Sequence, residues 1–227
     1  AQLARSFSME IGLPPSWEIL EEVQDQRLRW EALQQTIVDD SDRTVSRLVR
    51  VLFQGEARRN VSGLLFDTVN TLYSILKETP PAAWKNFPDL KPLSPEKLRE
   101  AVDQLEQAEA PEHKTARRTK DENVESARLG DWETFVTRGI TAQILKGKTS
   151  YFKKEFSPEL LSAYGRVIEH ARAVLVGQLQ LQTEATLEIL QRFDRHYSNL
   201  KQRNRGIRFE DVTHSLLELG DAADPES

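Results

Sequence analysis

The feature that most limits what this chain can fold into is an unbroken helical pattern near its C-terminus. Ser157-Pro158-Glu159 supplies an N-cap followed by proline at the first helical position. From there Leu160, Tyr164, Val167 and Ile168, Ala171, Val174 and Leu175, Leu179, Leu187, Leu190, Tyr197 and Leu200 keep near-helical phase to Arg203. No proline interrupts the run. Only Gly165 and Gly177 weaken it, and a break near Gly177 is the alternative to one continuous helix. About 46 residues at 1.5 Å each make a rod of roughly 70 Å. A helix of that length needs neighbours packed along it, or a role as a strut. Composition agrees: 38% hydrophobic and 30% charged residues suit amphipathic helices that each bury one stripe. No alternating Val/Ile/Thr run of strand length stands out. The expected fold class is all-α, a helical bundle with one very long helix over about 158–203, within a single subdomain spanning 1–227.

The rest of the chain reads as shorter helices. It opens on AQLARSFSMEIG, without methionine or a clear N-cap, as a helix already under way that stops near Gly12 and Pro14-Pro15; we expect an excised fragment. SWEIL (16–20) is a short extended or turn piece. A helix follows from Glu21 to about Val38, with Val23, Leu28, Ala32 and Ile37 roughly on one face. Ser41 or Asp42 caps a helix over 43–53; the VLFQG within it (51–55) resembles a protease tag site by coincidence, since Glu56 follows instead of proline. Residues 61–77 carry Val61, Leu64, Leu65, Val69, Leu72, Tyr73 and Leu76 at helical spacing. A proline-rich connection, 79–95, ends at Ser94-Pro95-Glu96, which opens a helix to about 108. Residues 109–129 are charged and lack an apolar stripe, which predicts a flexible linker or an exposed, poorly packed helix. Asp131 caps a helix, DWETFVTRGITAQILK, that Gly147 ends.

Several function classes fall away. There is no cysteine, so disulfides, thiolate metal sites and thiol nucleophiles are excluded. His113, His170, His196 and His214 lack metal-ligand spacing and read as surface or half-buried side chains. No apolar stretch approaches the ~20 residues of a bilayer span, and 1–15 has no signal-peptide pattern, so a cytoplasmic protein without a membrane partner is expected. GKT at 147–149 is not a phosphate loop: Ala142 stands where the first glycine belongs, and a helix precedes it rather than a strand. No nucleophile elbow, triad order or dinucleotide loop is present, so no catalytic residue is assigned.

Charge carries more information than its sum of −5. Segment 192–208 is basic, through Arg192, Arg195, Lys201, Arg203, Arg205 and Arg208 against Asp194 alone. Segment 209–227 has only acidic charges. A second basic group, KGKTSYFKK, places Lys146, Lys148, Lys153 and Lys154 around Tyr151 and Phe152 between two helices. Such lysines can hold phosphates while the aromatics stack on a sugar or base. The plainer alternative is that both rings pack inward and the lysines only solvate a turn. For 192–208 the alternative is cations complementing the C-terminal end of a helix dipole. Arg117, Arg118 and Lys120 read as solvated loop charge.

YSNLKQRNRGIRFEDVTHSLLEL (197–219), with Tyr197, Lys201, Gly206, Phe209, Glu210 and Asp211, resembles the Y-x-x-x-K … G … D-F-D-D-L element of UvrD/Rep-like superfamily-1 DNA helicases. It departs from that pattern at Arg208 and Glu210. RSFSMEIGLPPSWEILEE (5–22) is similar to the segment after that family's first DNA-contacting motor motifs, and the order of the intervening stretches fits, closest in flavour to the AddA/RecB helicase–nuclease branch. The resemblance implies the inserted helical subdomain (1B), which contacts DNA, duplex or single-stranded, and rejoins the motor domain at Gly206, Phe209, Glu210 and Asp211. It implies a phosphate loop upstream of Ala1 and a D-E-x-Q-D motif downstream of Ser227, so ATP and Mg²⁺ belong to the parent protein and no cofactor to the fragment. Partners are then DNA, the motor domains of the same chain, and a second helicase–nuclease subunit. Charge alone nominates Lys146, Lys148, Lys153, Lys154, Arg203 and Arg205 for DNA contact. Two readings compete with it: a stand-alone helical scaffold for protein partners, which the acidic balance suits, and a degenerate helicase relative that keeps only the fold.

Overall fold

The computed structural model describes residues 17–38 and 61–213. The helices expected before Gly12 and over 43–53, VLFQG and His214 lie outside the described residues. The chain divides into two compact units: Ala1–Trp84 with Gln182–Ser227 (unit 1), and Lys85–Leu181 (unit 2). The described residues are predominantly helical, as the pattern required. The long helix is α7 (Pro158–Arg203), helical through Gly177 and contributing residues to both units. Its N-terminus is capped by the Ser157 hydroxyl, which accepts from the Leu160 amide at 3.1 Å. Among the described residues, no helix is long and apolar enough to cross a membrane.

Unit 1 packs α1 (Glu22–Val38), α2 (Val61–Glu78) and the last turns of α7. Its core is Leu28, Ala32 and Leu33 against Leu65, Val69 and Tyr73, closed by Ala185, Ile189, Leu190, Phe193, Tyr197 and Leu200. The spacing of three and four on each helix is the expected one. The face of α1 differs in one respect. Val23 is 78% exposed, and Asp25 and Arg29 are buried instead. A charged pair occupies the stripe because Tyr197 and Asn70 offer it polar partners there. Two short strands, β1 (Glu18–Ile19) and β4 (Gly206–Ile207), pair in parallel. Trp17 and Ile207 bury beside them.

Unit 2 contains α3 (Pro95–Gln107), α4 (Lys114–Leu129), α5 (Trp132–Thr137), α6 (Gly139–Leu145), the hairpin β2 (Ser150–Tyr151) and β3 (Lys154–Glu155), and the first turns of α7. Ser94 caps α3 ahead of Pro95, as the sequence indicated. The stretch 109–129 corrects the expectation of a linker. It holds a capped helix, α4, that buries Ala116, Thr119, Lys120, Asn123, Val124, Ser126 and Ala127. A stripe of small and polar residues packs because its polar atoms are met. Lys120 Nζ donates to the Glu106 and Ala108 carbonyls at 2.6 and 2.5 Å, satisfying the open end of α3. Burial lowers the pKa of Lys120, so this cation is a structural one, unlike the solvated charge expected there. The helix expected from Asp131 to Lys146 is likewise two helices. Gly139, at φ +65°, breaks it, and Gly147, at φ +73°, ends it.

The core of unit 2 gathers Leu105, Val124, Trp132, Phe135, Ile140, Phe156, Leu160, Tyr164 and Val167. His170 sits at its margin, buried, accepting from the Leu93 amide through Nδ1 at 3.0 Å and meeting the Trp132 ring edge-on at 4.7 Å. Only a neutral imidazole can accept there, and burial holds its pKa below the ordinary value. The unfolded chain therefore binds this proton more readily than the folded one. The stability His170 contributes is complete above the ordinary histidine range and is lost as pH falls through the folded value. With Trp17, Trp30 and Trp84 replaced by Phe, urea midpoints followed by Trp132 fluorescence should drop between about pH 7.5 and 5, and His170→Gln should flatten that drop. An identical pH profile in the variant would assign it to other groups.

Candidate nucleic-acid interface

α6 ends in a glycine turn. Gly147 N donates to the Ile144 carbonyl at 2.9 Å and Lys148 N to the Gln143 carbonyl at 3.0 Å. This is how a helix closes on a left-handed glycine, and it places GKT at a helix end rather than ahead of a helix that could hold phosphate. The chain then folds back as the β2–β3 hairpin, with Ser150 opposite Glu155 and Tyr151 opposite Lys154. Phe156 N donates to the Thr149 carbonyl at 2.9 Å, and the Phe156 ring buries in the core, anchoring the base. Tyr151 packs partly against the same core. Phe152 does not: it is 50% exposed at the tip, with its ring stacked on His113 at 4.4 Å.

The turn and hairpin bring Lys146, Lys148, Lys153 and Lys154 together within nine residues of chain, all exposed. None of their side chains forms an ion pair with a described residue. Four cations without carboxylate partners are free to attract an anion, unlike Arg118 or Arg128, which lie against Glu122 and Glu106. Arg203 and Arg205 are also exposed, but they belong to unit 1. Arg203 closes α7. Arg205 takes a positive φ of 50°, and its carbonyl accepts from Glu18 N at 2.9 Å.

Of the residues singled out in 197–219, Tyr197, Glu210 and Asp211 line a cavity of about 720 Å³ in unit 1, together with Asp25, Arg29 and Tyr73. Lys201 Nζ donates to both Asp211 oxygens at 2.7 Å, and Asp211 also accepts from the Arg208 amide at 2.8 Å. Tyr197 donates to Asp25, which pairs with Arg29 at 2.9 Å and lies 3.6 Å from Arg208. Arg29 reaches Asn70 at 3.0 Å and lies over the Tyr73 and Tyr197 rings at 5.3 Å each. Tyr73 and Lys77 both donate to Asp194. Burial pushes both tyrosine pKa values up, so their hydroxyls stay protonated and serve as donors. Gly206 pairs with Glu18 in β4, where a Cβ would lie 2.7 Å from Leu20 Cγ. Phe209 and Glu210 face solvent.

The motif thus builds a lock: α7, the turn after it and α1 are held by one network of paired charges. With its carboxylates and cations engaged with one another, the network lacks an activated nucleophile, and the described residues hold no cluster suited to a metal ion. Sequence reasoning identified Tyr197, Lys201 and Asp211, but not Asp25, Arg29, Asn70, Tyr73 or Asp194. The available signal was Asp25 and Arg29 at a spacing of four on the apolar face of α1. Comparison of the chain with protein-family models and with curated proteins finds no match to either.

Proposed function

We propose that this chain is a DNA-contacting helical subdomain of an ATP-dependent superfamily-1 DNA helicase, of the UvrD/Rep-like kind and nearest the AddA/RecB branch. The observation that carries the DNA contact is the glycine turn and hairpin, which expose four lysines that have no carboxylate partner among the described residues. Phosphate contact needs clustered, unneutralised cations presented on a defined support. The parallel β1–β4 pair supports the inserted placement. An insertion leaves and rejoins its host at neighbouring points, and two strands of two residues each are a natural extension of a larger parallel sheet. On this reading the parent protein holds ATP and Mg²⁺, acts in the cytoplasm in unwinding, repair and recombination, and works with a second helicase–nuclease subunit. Arg203 and Arg205 are a separate, second contact.

The test is combined charge reversal of Lys146, Lys148, Lys153 and Lys154 to Glu, with binding to a labelled oligonucleotide followed against salt. Wild-type affinity should fall steeply as salt rises. The variant should lose most of its low-salt affinity and about three to four units of the log–log salt slope. An unchanged slope removes the hairpin as the contact. Salt-independent binding of a folded protein partner, with no DNA binding, favours the scaffold reading instead.

A further inference from the structure

We infer that Phe152 is a stacking platform for an unpaired nucleobase, so that the lysine hairpin takes single-stranded DNA in preference to duplex. The inference rests on the DNA-contacting reading above and adds the strandedness of the ligand.

The argument begins with the turn. The hairpin closes on two residues, Phe152 and Lys153, with φ of 49° and 63°. Two-residue turns with both centres left-handed are the ones whose twist matches the flanking strands, and Asn-Gly is the favoured pair because it tolerates positive φ. A bulky aromatic and a lysine both carry a Cβ that disfavours this conformation. A chain that needed only to reverse direction here would be better served by Asn-Gly. Strained side chains at an exposed tip point to a use for the side chains themselves.

The surroundings say what that use is. Tyr151 and Phe156 already anchor the hairpin to the core, so Phe152 is not needed for that purpose. One ring of support comes from His113, nearly parallel at 13° and 4.4 Å, and Tyr151 meets the same ring edge-on at 4.7 Å. His113 is itself fixed, because its Nδ1 accepts from the Thr115 amide at the start of α4. The Phe152 ring is therefore held in place before any ligand arrives, while half of the residue stays exposed. Lys153 follows it directly in the turn and Lys154 opens β3, while Lys146 and Lys148 lie at the glycine turn that leads into the hairpin, all exposed.

A pre-positioned aromatic ring flanked by unpaired lysines matches the chemistry of single-stranded nucleic acid: phosphates for the cations, an exposed base face for the ring. Duplex DNA offers the same phosphates, but its bases are stacked on one another and present no face to the ring. The lysines then attract either form, and the ring discriminates between them.

The experiment uses the 227-residue chain, with anisotropy titrations of an oligothymidine and of a blunt duplex, each about 15 nucleotides long. Phe152→Ala and Phe152→Leu should each weaken oligothymidine binding about tenfold, with duplex binding changed by less than about twofold. The leucine variant keeps apolar contact with His113 but lacks a π-face, and unchanged duplex binding reports that the hairpin is intact. Phe152→Trp should bind oligothymidine at least as well as wild type. Replacing the bases with abasic sugars should cost the wild type the same factor and cost Phe152→Ala nothing further. Equal losses on both nucleic acids, or a leucine variant equal to wild type, would overturn the stacking role while leaving the lysine contact standing. If neither nucleic acid binds at low salt, the DNA reading falls, and this one falls with it.

Discussion

Asp25→Ala should destabilise unit 1 by about 3 kcal/mol, among the largest single-residue effects in the protein. Asp25 is the acceptor for the Arg29 guanidinium and the Tyr197 hydroxyl, and it lies 3.6 Å from Arg208. Its removal leaves a buried cation and a buried hydroxyl facing each other without an anion. Breaking a buried pair from one side ordinarily costs about 3–5 kcal/mol, because the surviving charge stays desolvated. The lower end applies here, since Arg29 keeps Asn70 at 3.0 Å and the faces of two tyrosine rings. The explanation makes a second, sharper claim. Asp25→Leu combined with Arg29→Met should recover most of the loss, because no uncompensated charge then remains. Urea titration of both variants measures this. A double variant as unstable as Asp25→Ala would mean that the network stabilises through its geometry and not through charge pairing.

How far the fold was legible follows from what each helix buries. α7 and α2 bury leucine, valine and aromatic residues at helical spacing, and so announced themselves. α4 did not, because Val124 is its one large apolar buried residue and the other buried positions are alanine, threonine, asparagine, serine and lysine. The Asp25–Tyr197 contact spans 172 residues, so no local pattern could reveal it. The break at Gly139 was hidden by the apolar run on both sides of it. The basic hairpin was half visible: composition marked the lysines and the aromatics, but Phe-Lys is not the pair that signals a two-residue turn. Which ring would turn inward and which outward depended on the register Tyr151↔Lys154.

Asn123→Leu should cost unit 2 about 3–4 kcal/mol, and the reason lies in that break. Asn123 is buried between α4 and the α5–α6 junction. Its Oδ1 accepts from the Ile140 amide and the Tyr164 hydroxyl at 3.2 Å each, and its Nδ2 donates to the Arg138 carbonyl at 3.3 Å. One side chain thus meets the Ile140 amide that the interrupted helix leaves open and the buried Tyr164 hydroxyl, while the Arg138 carbonyl also accepts from the Ala142 amide at 3.3 Å. Leucine is similar in size and meets none of them, and each buried group left unpaired costs about 1–3 kcal/mol. Tyr164→Phe removes only one of the three bonds and should cost about 1 kcal/mol. Gly139→Ala attacks the same point from the other side. Its Cβ would lie 2.5 Å from Thr119 Cγ2 and 2.7 Å from Asn123 Oδ1, on a backbone at φ +65°. Strain and the displaced amide together should bring its loss close to that of Asn123→Leu, and the double variant should fall well short of the sum, because both changes break one junction. Denaturant titrations decide it, made with Trp17, Trp30 and Trp84 replaced by Phe so that Trp132 alone reports on unit 2. Additive losses would mean that Asn123 and Gly139 act separately, and that the junction from which α6 carries the lysine turn is held by apolar packing alone.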